Sequence, residues 1–178
     1  MKLIKYLLAL LKGRDYVYTN FNIEEARRIG VPEVGNNCRF IDTHRSTFST
    51  EPYLIKIGNH VSMTNPQFVT HDGGVWVFRN EYPNIDLFGK IEIGNNCFIG
   101  IGVCLLPNTK IGNNCIVAAG AIVKGSFEKN SIIAGIPAKC IGTIDEYFDK
   151  NKDKFSYLKN LTTGAKKEEV LKHLNQLG

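Results

Sequence analysis

The chain has 178 residues, 43% of them apolar, and a formal net charge of +5. That length suits one domain with appendages and supplies enough apolar side chains for a core. The charge excess is mild, gathers in the C-terminal tail and forms no basic stripe interleaved with aromatics, which argues against a nucleic-acid partner. The five cysteines include no CxxC pair and read as reduced thiols in a reducing cytosol, and the four histidines show no metal-ligand spacing, so no metal is expected.

Met1 to Leu11 is an apolar stretch. It is too short to cross a bilayer, which takes about 20 apolar residues. Lys12-Gly13-Arg14-Asp15 offers no small-residue cleavage site of a signal peptide. Residues 1–11 therefore read as a short helix that packs on the domain or rests on a membrane surface. The protein is expected in the cytoplasm, with peripheral contact at the inner membrane face as the second option. Asn22 is placed to cap a helix from Ile23 to Ile29, with Glu24 and Glu25 in its first turn.

A repeat begins at Val34-Gly35-Asn36-Asn37-Cys38. Its clearest copies are Glu92-Ile93-Gly94-Asn95-Asn96-Cys97 and, three hexapeptides on, Lys110-Ile111-Gly112-Asn113-Asn114-Cys115. Within each copy a large aliphatic residue recurs every six: Ile93, Ile99, Leu105, then Ile111, Val117, Val123. A period of six fits neither a helix nor a simple alternating strand. It fits a coil of three short strands forming a triangular prism, with one large side chain per face and three hexapeptides per turn. Four residues after each aliphatic stands a small inward residue (Cys97, Val103, Thr109, Cys115, Ala121). Gly and Asn at the corners tolerate positive φ. The fold class is therefore mainly β, a parallel β-helix of hexapeptide repeats with short helices at both ends.

The first coil, Val34 to Ile57, is five residues longer than a regular turn, and the insertion is placed within Thr43 to Pro52. The second coil continues through Met63 and Val69. Extending its six-residue phase would bury Val75, Glu81 and Leu87, and a buried Glu81 without a partner is prohibitive. Asp72 to Lys90 is therefore expected to leave the coil as a projecting loop. Long ordered loops are often functional. The repeat frays after Val123 and resumes near Ile132-Ile133, and the tail from Thr143 has a helical pattern. The organisation expected is 1–33 as an N-terminal helical segment, 34–142 as the β-helix with loop 72–90, and 143–178 as a helical tail.

From Val34 to Ile141, including the closing phrase Ala134-Gly135-Ile136-Pro137-Ala138-Lys139, the chain resembles the hexapeptide-repeat acyltransferases of the left-handed parallel β-helix fold. That group includes galactoside, xenobiotic and polysaccharide O-acetyltransferases. The left hand is implied by this resemblance, since parallel crossovers are otherwise right-handed. The resemblance also implies a homotrimer, acetyl-CoA as donor and a site shared by two subunits. Coenzyme A would lie along a groove lined by Phe98, Ile101, Ala119 and Ala121, with Lys124 and Lys139 towards its phosphates. Two departures from the family pattern stand out: Lys124-Gly125 replaces the usual Thr-Lys, and Ile136 replaces the usual Asn.

Acetyl transfer from a thioester to a hydroxyl needs a base for the acceptor and a donor for the developing oxyanion. A base that titrates near neutral pH points to His. His71 ends the second coil where the loop departs, and the resemblance places the catalytic His there; His44 is its rival. Where the galactoside enzymes have an acceptor-contacting Asn, this chain has Ile41, with Asp42 beside it. Asp42, Asp72 and Trp76 are the candidates for holding the acceptor, a sugar or glycan precursor. The alternatives are amino-sugar N-acetylation and a catalytically inactive trimeric β-helix that binds a partner.

Overall fold

The computed structural model describes residues 21–177, and residues 1–11, with their membrane question, lie outside the described residues. The chain divides into two units, one reaching Ile144 and the other running from Asp145 to Gly178. The tail boundary expected after residue 142 falls two residues before this division.

The first unit opens with helix α1 (Ile23–Arg28). Asn22 Oδ1 accepts from the Glu25 N–H at 2.9 Å, the cap its sequence position implied. Fourteen short strands follow, β1 (Glu33–Val34), β2 (Arg39–Ile41), β3 (Ile55–Ile57), β4 (Ser62–Thr64), β5 (Gln67–Phe68), β6 (Ile91–Ile93), β7 (Phe98–Ile99), β8 (Cys104–Leu105), β9 (Thr109–Ile111), β10 (Ile116–Val117), β11 (Ile122–Val123), β12 (Ser126–Phe127), β13 (Ser131–Gly135) and β14 (Ala138–Thr143). They form three sheets, the faces of the prism: face A is β1-β3-β6-β9-β12, face B is β14-β13-β10-β7-β4-β2 and face C is β11-β8-β5. Every pairing is parallel except the terminal β13–β14 hairpin, which contains the closing phrase.

The register stacks like on like. Ile57, Ile93 and Ile111 pair down face A, Met63, Ile99 and Val117 down face B, and Phe68, Leu105 and Val123 down face C. All nine are at most 2% exposed. The small inward positions explain the cysteines: the thiols of Cys38, Cys97 and Cys115 each donate, at 3.2 Å, to a carbonyl one coil on, at Gly58, Gly112 and Glu128. At the corners Asn37, His60, Asn96 and Asn114 have φ of 55–56°. The preceding asparagines form a ladder in which Asn59 N–H donates to Asn95 Oδ1 at 2.8 Å and Asn95 N–H to Asn113 Oδ1 at 2.7 Å. A Cβ on Gly94 would lie 2.7 Å from the Gly112 carbonyl carbon, so the Gly-Asn-Asn corner has no room for another residue there.

The projecting loop is as expected. Glu81 is exposed and Leu87 is half exposed, so neither takes the inward place that the six-residue phase assigned. The loop leaves and returns at one point: His71 bridges Phe88, Asp72 N–H donates to Leu87 O at 2.8 Å, and Gly89 N–H to Thr70 O at 2.9 Å. A 3-10 turn, Gly73–Phe78, starts it, and an Arg79–Asp86 ion pair of 2.6 Å ties it across.

The first-coil insertion has a definite shape. The inward steps from Phe40 to Phe48 and from Phe48 to Ile57 are eight and nine residues instead of six. Phe48 is fully buried, on a 3-10 turn (Arg45–Phe48), and stacks on Phe68 with ring centroids 5.3 Å apart. It thus supplies face C's first aromatic rung without a strand. In the second unit, helices α2 (Ile144–Asn151, starting one residue before it) and α3 (Thr163–Leu177) match the helical reading of the tail.

Prism and loop should respond oppositely to change. Ile99→Ala is expected to destabilise by about 2–5 kcal/mol through the cavity it leaves. Replacing residues 73–87 by a short glycine linker should leave the unfolding midpoint nearly unchanged, because no rung is lost. Denaturant titration of both variants measures the contrast.

Candidate functional site

His71 stands at the corner where face C ends. Its backbone is pinned by the bridge to Phe88, so the ring sits at the foot of the projecting loop. The side chain is 44% exposed. Its Nδ1 lies 2.9 Å from Glu51 Oε2. Glu51 comes from the first-coil insertion and is only 15% exposed in its side chain. Thr70 Oγ1 donates to Glu51 Oε2 at 2.7 Å and Thr50 Oγ1 to Oε1 at 2.6 Å. Burial pushes the Glu51 carboxyl up, but the hydrogen bonds from Thr50, Thr70 and His71, with the charge of a protonated His71, outweigh it. The net effect holds Glu51 below its ordinary value, as an anion. An imidazole tied at one nitrogen and open to solvent can exchange a proton at the other.

Sequence reasoning missed Glu51. It comes from a segment well before His71, whose extra length was visible but whose path was not. The signal was the insertion itself, since face C must be closed above Phe68 by something that passes over Thr70 and His71.

The other candidates fall in several places. Asp42 and His44 form a separate pair with Nε2 3.4 Å from Oδ1, at the corner between faces B and C. That corner continues through Asn65, Ile101–Gly102 and Ala119–Gly120, linked by Asn65 N–H to Ile41 O at 2.9 Å, Gly102 N–H to Asn65 O at 3.3 Å and Gly120 N–H to Ile101 O at 2.9 Å. Ile101 is 56% exposed, and Cβ atoms built on Gly102 and Gly120, both at positive φ, would meet only open space. This is a smooth, unobstructed edge. Phe98 is exposed on face B beside it, Lys124 is exposed at the end of face C, and Lys139 is exposed on β14 at the far end of the stack. Ala121 has to be withdrawn from the groove. Its side chain is 1% exposed, its N–H donates to Ala118 O at 3.3 Å, and its carbonyl accepts from Cys104 N–H at 2.9 Å.

Asp72 is committed locally, its carboxylate accepting from Gly74 N–H at 2.9 Å to cap the loop's 3-10 turn. Trp76 is 75% exposed, so it does not fold onto the prism wall. His60 is an exposed corner residue, its Nδ1 2.7 Å from Asn96 Oδ1. No group of metal-ligating side chains occurs among the described residues.

Comparisons with known proteins agree with this architecture. The model of the bacterial transferase hexapeptide family (six repeats) matches residues 90–125. Protein CapG of Staphylococcus aureus is 50% identical over 153 residues, covering 85% of this chain and 88% of that protein. WbbJ of Escherichia coli K12, described as an O-acetyl transferase of lipopolysaccharide biosynthesis, is 45% identical over 51 residues, 29% of this chain and 26% of that one. Among solved structures, a galactoside acetyltransferase in complex with coenzyme A superposes with a TM-score of 0.50 at 25% identity, over 73% of this chain and 61% of that one.

The depressed Glu51 carboxyl makes a stability prediction. Its folded value lies below the reference 4.5, so its contribution is fully present above that pH and disappears as pH falls through the folded value. Glu51→Gln should therefore lose stability relative to the parent at neutral pH, and the gap should close in acid. Urea midpoints measured across that range check the sign.

Proposed function

The chain belongs to the bacterial hexapeptide-repeat transferase family, and from that premise we propose that it is an acetyl-CoA-dependent O-acetyltransferase acting on a hydroxyl of a sugar or glycan precursor. The observation that carries the reading is His71, fixed at the foot of an ordered loop with one nitrogen held by Glu51. Acetyl-CoA supplies the acetyl group as a thioester. His71 Nε2 takes the proton of the acceptor hydroxyl as its oxygen attacks, and returns a proton to the departing sulfur. Trp76, Phe78 and Tyr82, all more than half exposed on the loop, offer apolar faces for a sugar ring. The glycan acceptor is supported by the likeness to WbbJ over its 51 aligned residues.

The active unit is a homotrimer of left-handed prisms in this reading. His71 and the Ile101–Ala119 edge flank face C at different corners. The six-residue step from Asn65 to His71 spans at most about 20 Å when extended. In this reading the base of one chain serves the groove of a neighbour, whose edge faces His71. Lys124 and Lys139 are the cations for the nucleotide phosphates. The protein works in the cytoplasm, on precursors made there.

Three measurements test this. Thiol release from acetyl-CoA, screened across sugar and glycan acceptors, should identify an O-acetylated product; an amide product would favour amino-sugar acetylation. His71→Ala should lower the rate by about 10²–10⁴ while leaving folding and acetyl-CoA binding intact. A rate within tenfold of the parent would move the base elsewhere, with His44 next. Light scattering should give about three times the 19.9 kDa chain mass.

A further inference from the structure

We propose that the first-coil insertion is the positioning element of the site, with Glu51 the residue that fixes His71 in the tautomer whose Nε2 is the base. This rests on His71 being the base, and it adds a role for a segment outside the repeat.

Face C starts at β5, because the first coil contributes no strand to it, whereas faces A and B start in that coil with β1 and β2. In place of that strand, Phe48 drops onto Phe68 and Thr47 is buried beside it, so the prism is closed over its top rung. The chain must then return to face A, and the extra residues after Phe48 carry it across the end of β5. Thr50 and Glu51 consequently arrive above Thr70 and His71. Ser49 makes the bend at φ 60°, ψ −168°, a conformation that is essentially glycine's alone. A serine held there is over-determined by its surroundings, here Phe48 on one side and the Glu51 hydrogen bonds on the other.

The chemistry of the cluster is unambiguous about direction. An ionised carboxylate only accepts hydrogen bonds. The hydroxyls of Thr50 and Thr70 donate to its two oxygens. The His71 Nδ1, 2.9 Å from Oε2, must therefore carry a hydrogen as well. In neutral imidazole the proton on one nitrogen leaves a lone pair on the other. Nδ1–H towards Glu51 makes Nε2 the acceptor, which is the form a general base needs. Left to itself, neutral histidine favours the opposite tautomer. Thr50 and Thr70 fix the carboxylate from both sides, so it cannot swing away, and the packing that closes the prism also aligns the base.

The test uses the full-length protein with its histidines labelled with nitrogen-15. In alkaline buffer, two-bond proton–nitrogen spectra should show His71 as the Nδ1–H tautomer in the parent. In Glu51→Gln the Nε2–H form should appear, since an amide can donate as well as accept. Acetyl transfer to the acceptor found in the screen should fall at least about 10- to 100-fold, the range for losing a side chain that orients a metal-bound imidazole, with the KM for acetyl-CoA unchanged. Glu51→Gln added to His71→Ala should cost nothing further. An unchanged tautomer in Glu51→Gln, or full additivity with His71→Ala, would overturn the assignment. If His71→Ala proves active, the base reading fails, yet the tautomer spectra still decide what Glu51 does. Should Glu51→Gln not fold, Thr50→Val, at a partly exposed position, removes one buttress and should show a smaller shift in the same direction; no shift there would count against the proposal.

Discussion

The constraint behind the whole molecule is the width of the prism. Three short parallel strands close around a space that admits one large side chain per face per turn, and parallel pairing places identical positions above one another. Ile57, Ile93 and Ile111 are therefore neighbours in space although whole turns of the coil, or the projecting loop, separate them along the chain. Backbone hydrogen bonds run between coils, so each coil is both template and cover for the next. The same stacking dictates the corners, where a Cβ on Gly94 would strike the next coil and asparagine side chains hydrogen-bond along the stack.

A fold this regular has two weak places, its ends and any departure from the period. Both are where chemistry collects here. The hairpin β13–β14 finishes one end by pairing antiparallel, using strand hydrogen bonds that another coil would have taken. At the other end the first coil gives up its rung on face C and closes the prism with Phe48. The projecting loop leaves at the corner after β5, and the insertion passes over the same corner. His71 sits where these two departures meet, with its backbone bridged to the loop and its ring bonded to the insertion. The regular coils repeat one pattern, and the irregular segments bring His71 and Glu51 together.

The division of labour extends to the three faces. Face A shows water a ladder of alternating charge, Glu33, Lys56, Glu92 and Lys110, with Lys56 bonded to Glu33 at 2.5 Å. Cross-strand pairs of opposite sign suit a solvated surface. Faces B and C carry Phe98, Ile116 and Ile122 outward instead. The Ile101–Ala119 edge lies between those two faces, away from the charged one.

The coils were legible in the residues because a period of six with aliphatic, small and Gly-Asn positions is a local pattern with one geometric solution. The loop at Asp72 to Lys90 was legible for the same reason, since keeping the six-residue phase would have buried Glu81. Even the five extra residues of the first coil could be counted. Their destination could not. Glu51 reaches His71 only because Phe48 packs on Phe68 and turns the chain across face C, and that path depends on contacts between segments distant in the chain. Ala121 shows the converse: the resemblance put it in a groove, but the period of six already made it a small inward residue, and it is buried with its backbone groups used. Sequence periodicity determined which residues face in; tertiary packing alone decided which polar side chain stands beside the imidazole, because hydrogen-bond geometry is set where separate segments meet.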